Sequence, residues 1–258
     1  MRTYYVYIAR TTAALFFILA VCALLTPTAV SAKGRLRVIY DLPEPEDINA
    51  ARIIYQSEVA EEIAQIVDEW SLLKKDVTLR FGTILGPHFA VLDNGKLEIH
   101  IPYDFFSNTQ KLFATKKYAE TKDATTAALN SLHHTIYHEL GHAIIHSQPT
   151  GIPAQLEEHA VDTLSAILLI SIYEDGAEIA SSAAKAFQLL ATETESPLHT
   201  KNDIQRFQEI NCLVYGSNPR KYAALLEDLP TMTESICPTR FQKTHKQWEQ
   251  IFKIALPD

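Results

Sequence analysis

The chain has 258 residues, 47% of them hydrophobic, with 23 basic and 31 acidic side chains. This length and composition are typical of a globular protein with one sizeable core. The formal net charge of −8 argues against nucleic acid and anionic membrane surfaces as partners, because both repel an acidic protein.

The first 32 residues have the pattern of a secretory signal peptide. Arg2 and Arg10 provide positive charge, residues 13–25 form an apolar run, and residues 30–32 offer small side chains for cleavage. The run is shorter than the roughly 20 residues that a membrane-spanning helix needs. We therefore predict an exported, periplasmic or secreted protein, a single mature domain of residues 33–258 and no stable membrane span. An uncleaved anchor is the alternative.

The first part of the predicted domain, residues 33–103, has the patterns of a small mixed sheet. Residues 35–40 alternate between apolar and polar side chains, and residues 77–81 have the pattern of a second strand. Between them, residues 50–73 have an amphipathic pattern that predicts one long helix.

A β-hairpin is predicted to complete this sheet. Residues 89–92 and 97–101 flank the sequence Asp-Asn-Gly-Lys, which is typical of a hairpin turn. Since residues 97–101 are the last strand before the helical region, we predict them as the exposed edge to which an extended substrate peptide could add.

Residues 104–258 are predicted to be helical nearly to the end. Strands first and helices later indicate an α+β fold. We expect a small N-terminal sheet lobe and a mostly helical lobe, with the helix that carries the motif described next at their junction.

The most informative motif is H-E-x-x-H, formed by His138, Glu139 and His142 within a helical pattern. Histidines four residues apart lie one above the other on a helix face, so both can bind one metal ion. Glu139 would face the open side of that ion and act as general base. The motif predicts a catalytic zinc site, which needs a third protein ligand and an open position for water.

Histidines that follow the motif do not supply this third ligand. The x-x-G-x-x-H continuation of some zinc peptidases would need glycine and histidine where the chain has Ile145 and Gln148. His146 lies eight residues after His138, about 12 Å along the helix axis, so one ion cannot bind both.

A following helix can supply a glutamate instead. Pro149, Gly151 and Pro153 end the first helix in a tight turn, and a short turn makes the next helix an antiparallel neighbour. Glu158 and Asp162 lie four residues apart and share a face of that helix. We predict Glu158 as the third ligand and Asp162 as the carboxylate that accepts the outer N–H of a zinc histidine.

Two neighbours remain as alternatives for the third ligand. Spacing alone does not exclude Glu157 or His159, although neither has a carboxylate one turn further on. The combination of H-E-x-x-H with E-x-x-x-D resembles the gluzincin peptidases, the thermolysin-like group, which implies a zincin-like fold.

Cys212 and Cys237 are the two cysteines left after removal of the predicted signal peptide. An even pair in an exported chain predicts a disulfide bond between them. Two buried thiols are the alternative.

A second resemblance covers most of residues 130–252. It rests on the H-E-L-G-H-A and E-E-H-A-V-D segments and on C-terminal segments: Asn202–Phe207, Asn211–Pro219, Lys221–Leu225, Cys237–Pro238 and Trp248. Together they resemble a family of bacterial zinc metallopeptidases known as a domain of unknown function, number 4344. The chain departs from the family pattern at His159 and Leu213, and neither position is a proposed ligand. The resemblance implies a secreted or periplasmic gluzincin-like enzyme and names no substrate.

The predicted function is hydrolysis of peptide bonds in a peptide or protein substrate, with one Zn²⁺ as cofactor. His199 is our first candidate for the group that stabilises the oxyanion, with Arg206 and Tyr215 as alternatives; Arg206 could instead form an ion pair, for example with Asp203. A non-catalytic, zinc-binding exported domain that binds a protein or envelope partner is the alternative function. Glu139 argues against it, because a structural zinc site needs no base.

Overall fold

The computed structural model describes residues 33–115, 123–193, 197–229 and 235–257, without the side chains of residues 115, 193 and 197–200. The predicted signal peptide lies outside the described residues, so its cleavage and the domain boundaries remain predictions. Within these ranges, no helix has both the length and the apolar character needed to cross a membrane.

Four strands form one mixed sheet in the N-terminal part of the chain. They are β1 (Leu36–Tyr40), β2 (Val77–Gly82), β3 (His88–Val91) and β4 (Leu97–Pro102), in the spatial order β1-β2-β4-β3. β1 and β4 both run parallel to β2, while β3 and β4 form the predicted antiparallel hairpin. The small mixed sheet followed by helices confirms the predicted α+β class.

The predicted edge strand was wrong, because β3 rather than β4 lies at the edge. Leu97 of β4 pairs with Val77 of β2 on one side and with Val91 of β3 on the other. β4 is almost fully buried, whereas β3 is exposed at both ends. A hairpin can dock onto a sheet through either strand, so chain order alone does not determine which one remains at the edge.

The single helix predicted over residues 50–73 is also wrong. The structure has α1 (Ile48–Ser57) and α2 (Val59–Trp70), separated by Glu58 in the left-handed conformation with φ of 56°. Ser57 Oγ donates to the carbonyl of Ile54 at 2.7 Å and accepts from the amide of Val59 at 3.4 Å. Such local side-chain hydrogen bonds compete with the helical ladder, while the amphipathic pattern continues across the break.

The remaining part of the chain is mostly helical. In the described residues it contains α3 (Tyr103–Thr115), α4 (Ala124–Ser147), α5 (Glu157–Ile172), α6 (Gly176–Glu193), α7 (Pro197–Ser217) and α8 (Ile236–Phe252), with short 3₁₀ turns at Ala154–Leu156 and Ala223–Asp228. Asp123 caps α4 by accepting hydrogen bonds from two amides of the first turn.

Helix α4, which carries the H-E-x-x-H motif, lies between the sheet and the other helices. Its buried Ile136 and Leu140 belong to one continuous core that also contains Leu79 and Ile99 of the sheet and Ile167 of α5. The motif helix therefore lies at the junction of sheet and helices, as predicted, and the core holds it in place from both sides.

Cys212 of α7 and Cys237 of α8 form a disulfide bond. Both cysteines are buried in a small cluster with Tyr215 and Leu229. The covalent link fits a protein that matures in an oxidising compartment. Tyr215, one of the alternatives considered for the oxyanion donor, is buried in this cluster.

Two histidines of α4 outside the motif should make the protein sensitive to acid. Burial lowers the pKa of His133 to about 4 and that of His134 to about 3, below the value of about 6.5 in an unfolded chain. Between these values the unfolded state binds more protons, so stability falls as the pH falls below about 6.5. We expect each histidine to reduce the free energy of unfolding by about 2 kcal/mol between pH 7 and pH 5.

Urea unfolding at these two pH values, with a chelator present to remove metal effects, measures this loss. The free energy of unfolding should differ less between pH 7 and pH 5 in His133→Gln than in the unchanged protein. The reduction should be about half of the loss assigned to the two histidines, whatever the effect of the substitution on stability at pH 7. Equal pH dependence in the variant and the unchanged protein would contradict the assignment.

Candidate metal centre

The two histidines of the motif face the same cleft. His138 and His142 lie one turn apart on α4, and their ring centroids are 5.0 Å apart. Each ring uses Nδ1 for a hydrogen bond to a carboxylate: His138 to Asp162 at 2.8 Å and His142 to Glu157 at 2.7 Å. A neutral imidazole that donates from Nδ1 keeps the lone pair of Nε2 for a metal ion.

The turn after α4 brings a third residue to the histidines. Gly151, with φ of 71°, permits the turn. A Cβ atom on Gly141 would lie 2.8 Å from Val161 Cγ1, so glycine at this position allows α5 to pack closely against α4. As a result, Glu158 Oε2 lies 3.6 Å from His138 Nε2, and Glu158 Oε1 lies 3.5 Å from His142 Nε2.

These three residues have the geometry and chemistry of a metal-binding group. One ligand atom from each of His138, His142 and Glu158 lies within 4.8 Å of the others, and the described residues contain no other such group. Two imidazole nitrogens and one carboxylate oxygen are a typical ligand set for catalytic zinc, which leaves one position open. The side chain of Glu158 is 77% exposed, so this position is accessible to water.

Asp162 lies between the first motif histidine and Arg206 and contacts both. It is buried, and it accepts from His138 Nδ1 and from Arg206 Nε and Nη2, the latter two at 2.8 and 2.5 Å. Burial alone would raise the pKa of Asp162, but the bonds to His138 and the charge of Arg206 hold it far below its usual range. Asp162 therefore stays ionised and fixes the orientation of the His138 ring.

Two side chains at the site, Glu157 and Arg206, have contacts that differ from those predicted from the sequence. Glu157, an alternative for the third ligand, instead accepts from the outer nitrogen of His142. Arg206, for which Asp203 was the suggested partner, forms a two-point ion pair with Asp162 and lies over the ring of Phe187 at 3.9 Å. The two consecutive glutamates at the start of α5 are a sequence signal that could have identified Glu157. Arg206 lies 44 residues from Asp162, and no sequence pattern signals that the two residues pair.

Glu139 is buried beside His138, His142 and Glu158, in the wall of the cleft. Burial raises the pKa of its carboxyl group, against lowering contributions from His138, His142 and the backbone amide of Phe89. The ring of Phe89 also packs against that of His146 at 5.6 Å. The edge strand β3 therefore lies directly beside the motif helix.

The cleft is a cavity of about 520 Å³ that is open to solvent. Residues from five other elements or loops join the α4 and α5 side chains in its wall: Pro87, His88, Phe89, Phe105, Phe187 and Arg206. His88, on the edge strand, is a cleft residue that the sequence analysis did not single out.

The remaining candidates lie elsewhere or outside the description. His159, the other alternative for the third ligand, bonds to Glu209 at 2.7 Å, and this hydrogen bond raises the pKa of His159. The side chain of His199 lies outside the described residues, although its backbone belongs to α7. Its role as oxyanion donor remains a prediction.

Replacing Asp162 by asparagine should weaken metal binding by about 10- to 100-fold, because the His138 ring loses its ionic partner. Titration against a chromophoric chelator measures the affinity. Glu209→Gln is the matched control, since it removes a histidine–carboxylate bond of similar length outside the cleft. Equal affinities for Asp162→Asn and Glu209→Gln would contradict a role for Asp162 at the metal.

The fold and the site together define a protein with an H-E-x-x-H metal-binding centre at the junction of a small sheet and a helical region. The chain belongs to the family described as "Putative metallopeptidase" (DUF4344), whose model matches residues 40–252. Comparison with curated proteins found no match, and comparison with solved structures found none either.

Proposed function

We propose that this protein is an exported, zinc-dependent metallopeptidase. The observation that carries this proposal is the grouping of His138, His142 and Glu158 in an open cleft, with Glu139 beside them. Membership of a metallopeptidase family supports peptides or proteins as the substrate class. The disulfide bond between Cys212 and Cys237 supports export.

His138, His142 and Glu158 would hold the zinc ion. When bound, Zn²⁺ acts as a Lewis acid that activates water and polarises carbonyl groups. Asp162 and Glu157 keep the two histidines oriented through their Nδ1–H bonds. Arg206 holds Asp162 in place through hydrogen bonds to both of its carboxylate oxygens.

Glu139 carries out the proton transfers in this proposal. Its carboxylate accepts a proton from the attacking water and passes it to the leaving amine nitrogen. Burial of Glu139 raises its pKa, which favours temporary storage of that proton. A structural metal site has no use for a buried acid at this position.

The oxyanion that forms during the attack needs a donor beyond the metal. His199 is the donor proposed from the sequence. Arg206 is the second candidate, because it lines the cleft and uses only Nε and Nη2 for its bonds to Asp162.

The edge strand β3 lies beside the same cleft and offers a place for the substrate backbone. An extended peptide that added to β3 would form main-chain hydrogen bonds there. His88 and Phe89 of β3 line the cleft, so such a peptide would pass in front of the three ligands.

Metal analysis and a peptidase assay on the purified protein test the proposal. We expect about one tightly bound zinc per chain, hydrolysis of peptides in an internally quenched library, loss of activity with a chelator and recovery with added Zn²⁺. Zinc binding without any hydrolysis would contradict the peptidase and favour the non-catalytic zinc-binding domain. Absence of zinc binding would contradict both.

A further inference from the structure

A cavity apart from the metal cleft lies between α5, α7 and α8. Its volume is about 530 Å³, and among the described residues it shares no wall residue with the cleft. His159 and Thr163 of α5 line it, each one position after Glu158 and Asp162 of the metal centre. Successive helix positions point about 100° apart, so the cavity lies on a different face of α5 from the metal centre.

One continuous face of α8 forms most of the cavity wall. Helix α8 packs into the core through other side chains, including Trp248 and Phe252. The residues that it turns to the cavity recur at the spacing of a single helix face: Ile236, Thr239, Arg240, Lys243, Thr244 and Gln247. All but Ile236 are polar or charged. This face therefore requires a polar environment, which water or a polar ligand supplies.

The acidic wall residue of the cavity already has its own partners. Glu209 of α7 accepts hydrogen bonds from His159 Nδ1 at 2.7 Å and from Gln205 Nε2 at 2.9 Å, one at each carboxylate oxygen. Burial alone would raise the pKa of Glu209, but these bonds and the charges of His159 and Arg240 hold it below its usual value. The carboxylate is therefore ionised and is occupied within the wall.

The two cations of α8 have no such partner. In the part of the chain that the structure describes, neither Arg240 nor Lys243 lies within ion-pairing distance of a carboxylate. Arg240 is half-buried and Lys243 is exposed, and the two lie three positions apart on the face that lines the cavity. The cavity thus offers two positive charges against one carboxylate, in a chain with a net charge of −8.

This arrangement suits a phosphate group better than a carboxylate. A guanidinium can donate two parallel hydrogen bonds to phosphate oxygens, and a lysine adds a point charge. Thr244 and Gln247 make no side-chain hydrogen bond to another described residue, so both can donate to further oxygens. A phosphate ester has three acceptor oxygens and up to two negative charges, whereas a carboxylate has two oxygens and one charge.

We propose that this cavity binds a phosphate group, held by Arg240 and Lys243 and flanked by the polar side chains of Thr244 and Gln247. The acidic chain favours inorganic phosphate or a small phosphate ester over an anionic membrane as the source. Neither cation lines the metal cleft, so this site is separate from the proposed peptidase centre and does not depend on peptidase activity.

Calorimetric titration of the zinc-loaded protein with inorganic phosphate and with glycerol phosphate tests the site. In about 0.15 M salt, which screens exposed charges, we expect a dissociation constant below about 1 mM. Acetate should bind at least about tenfold more weakly, since it has fewer acceptor oxygens and less charge. The affinity for phosphate should be the same after zinc is removed with a chelator. A phosphate signal that disappears with the zinc would overturn the proposal.

Vesicles that contain phosphatidylglycerol distinguish the two sources of phosphate. Binding of the soluble compounds without binding to vesicles supports the source that we favour. Binding to vesicles alone, with loss in Arg240→Gln, supports the phosphate site and assigns it to a lipid headgroup. Absence of binding to the soluble compounds and to vesicles would overturn the proposal.

Substitutions on α8 locate the binding. Arg240→Gln and Lys243→Gln should each weaken phosphate binding at least about tenfold, because each removes a charge-assisted hydrogen bond. Lys246→Gln is the matched control, since Lys246 belongs to the same helix, is exposed and does not line the cavity. It should change the affinity less than about twofold. Thermal unfolding and zinc content check that each variant is folded. Equal weakening in Lys246→Gln and Arg240→Gln would overturn the proposed location.

Discussion

Replacement of Glu139 by glutamine is expected to lower kcat at least about 100-fold while the protein still binds one zinc ion. The reason is that glutamine keeps the shape of the side chain but cannot accept the proton of the attacking water, and general base catalysis contributes about 10²- to 10⁴-fold. The three proposed ligands, His138, His142 and Glu158, remain, so metal content should not change. Steady-state kinetics on a cleaved peptide and metal analysis of the same sample measure both quantities.

Glu62→Gln is the matched control for this experiment. Burial raises the pKa of Glu62 as it does that of Glu139, but Glu62 belongs to α2 and does not line the cleft. Its replacement should leave kcat within about twofold of the starting value, in line with a substitution away from the active site. Full activity in Glu139→Gln would remove Glu139 from the mechanism.

Replacement of Glu158 by alanine is expected to weaken zinc binding by more than about 100-fold, a larger loss than removal of an orienting partner causes. Only two protein ligands would remain, fewer than a catalytic zinc site uses. Because the Glu158 side chain is 77% exposed, the folded state should be little affected. Competition with a chelator gives the affinity, and thermal unfolding of the metal-free forms checks the fold.

Glu157→Ala is the comparison that decides between the two neighbouring carboxylates. A carboxylate oxygen of Glu157 accepts from the outer nitrogen of His142. Loss of this orienting bond should weaken zinc binding only about 10- to 100-fold. The opposite ranking, with the larger loss for Glu157→Ala, would assign the third ligand to Glu157.

Local patterns in the sequence were sufficient to predict which residues lie together at the centre of the candidate site. The helical repeat places His138 and His142 on one face wherever the helix lies. The breaks at Pro149, Gly151 and Pro153 require a reversal of the chain, which brings the next helix back along the first. The hairpin turn at residues 93–96 follows from its own sequence in the same way.

Interactions between distant segments decided what those patterns left open. Either strand of the hairpin can pair with β2, and packing left β3 rather than β4 at the edge. Arg206 meets Asp162 because α7 packs beside α5, a contact that no periodicity in the sequence encodes.

The sequence by itself determined the type of site, since helix and turn geometry depend on residues a few positions apart. The tertiary structure decided the partners of that site: which carboxylate orients each histidine and which strand borders the cleft. These features depend on how side chains from separate elements fill a shared volume, and that packing is a property of the folded chain as a whole.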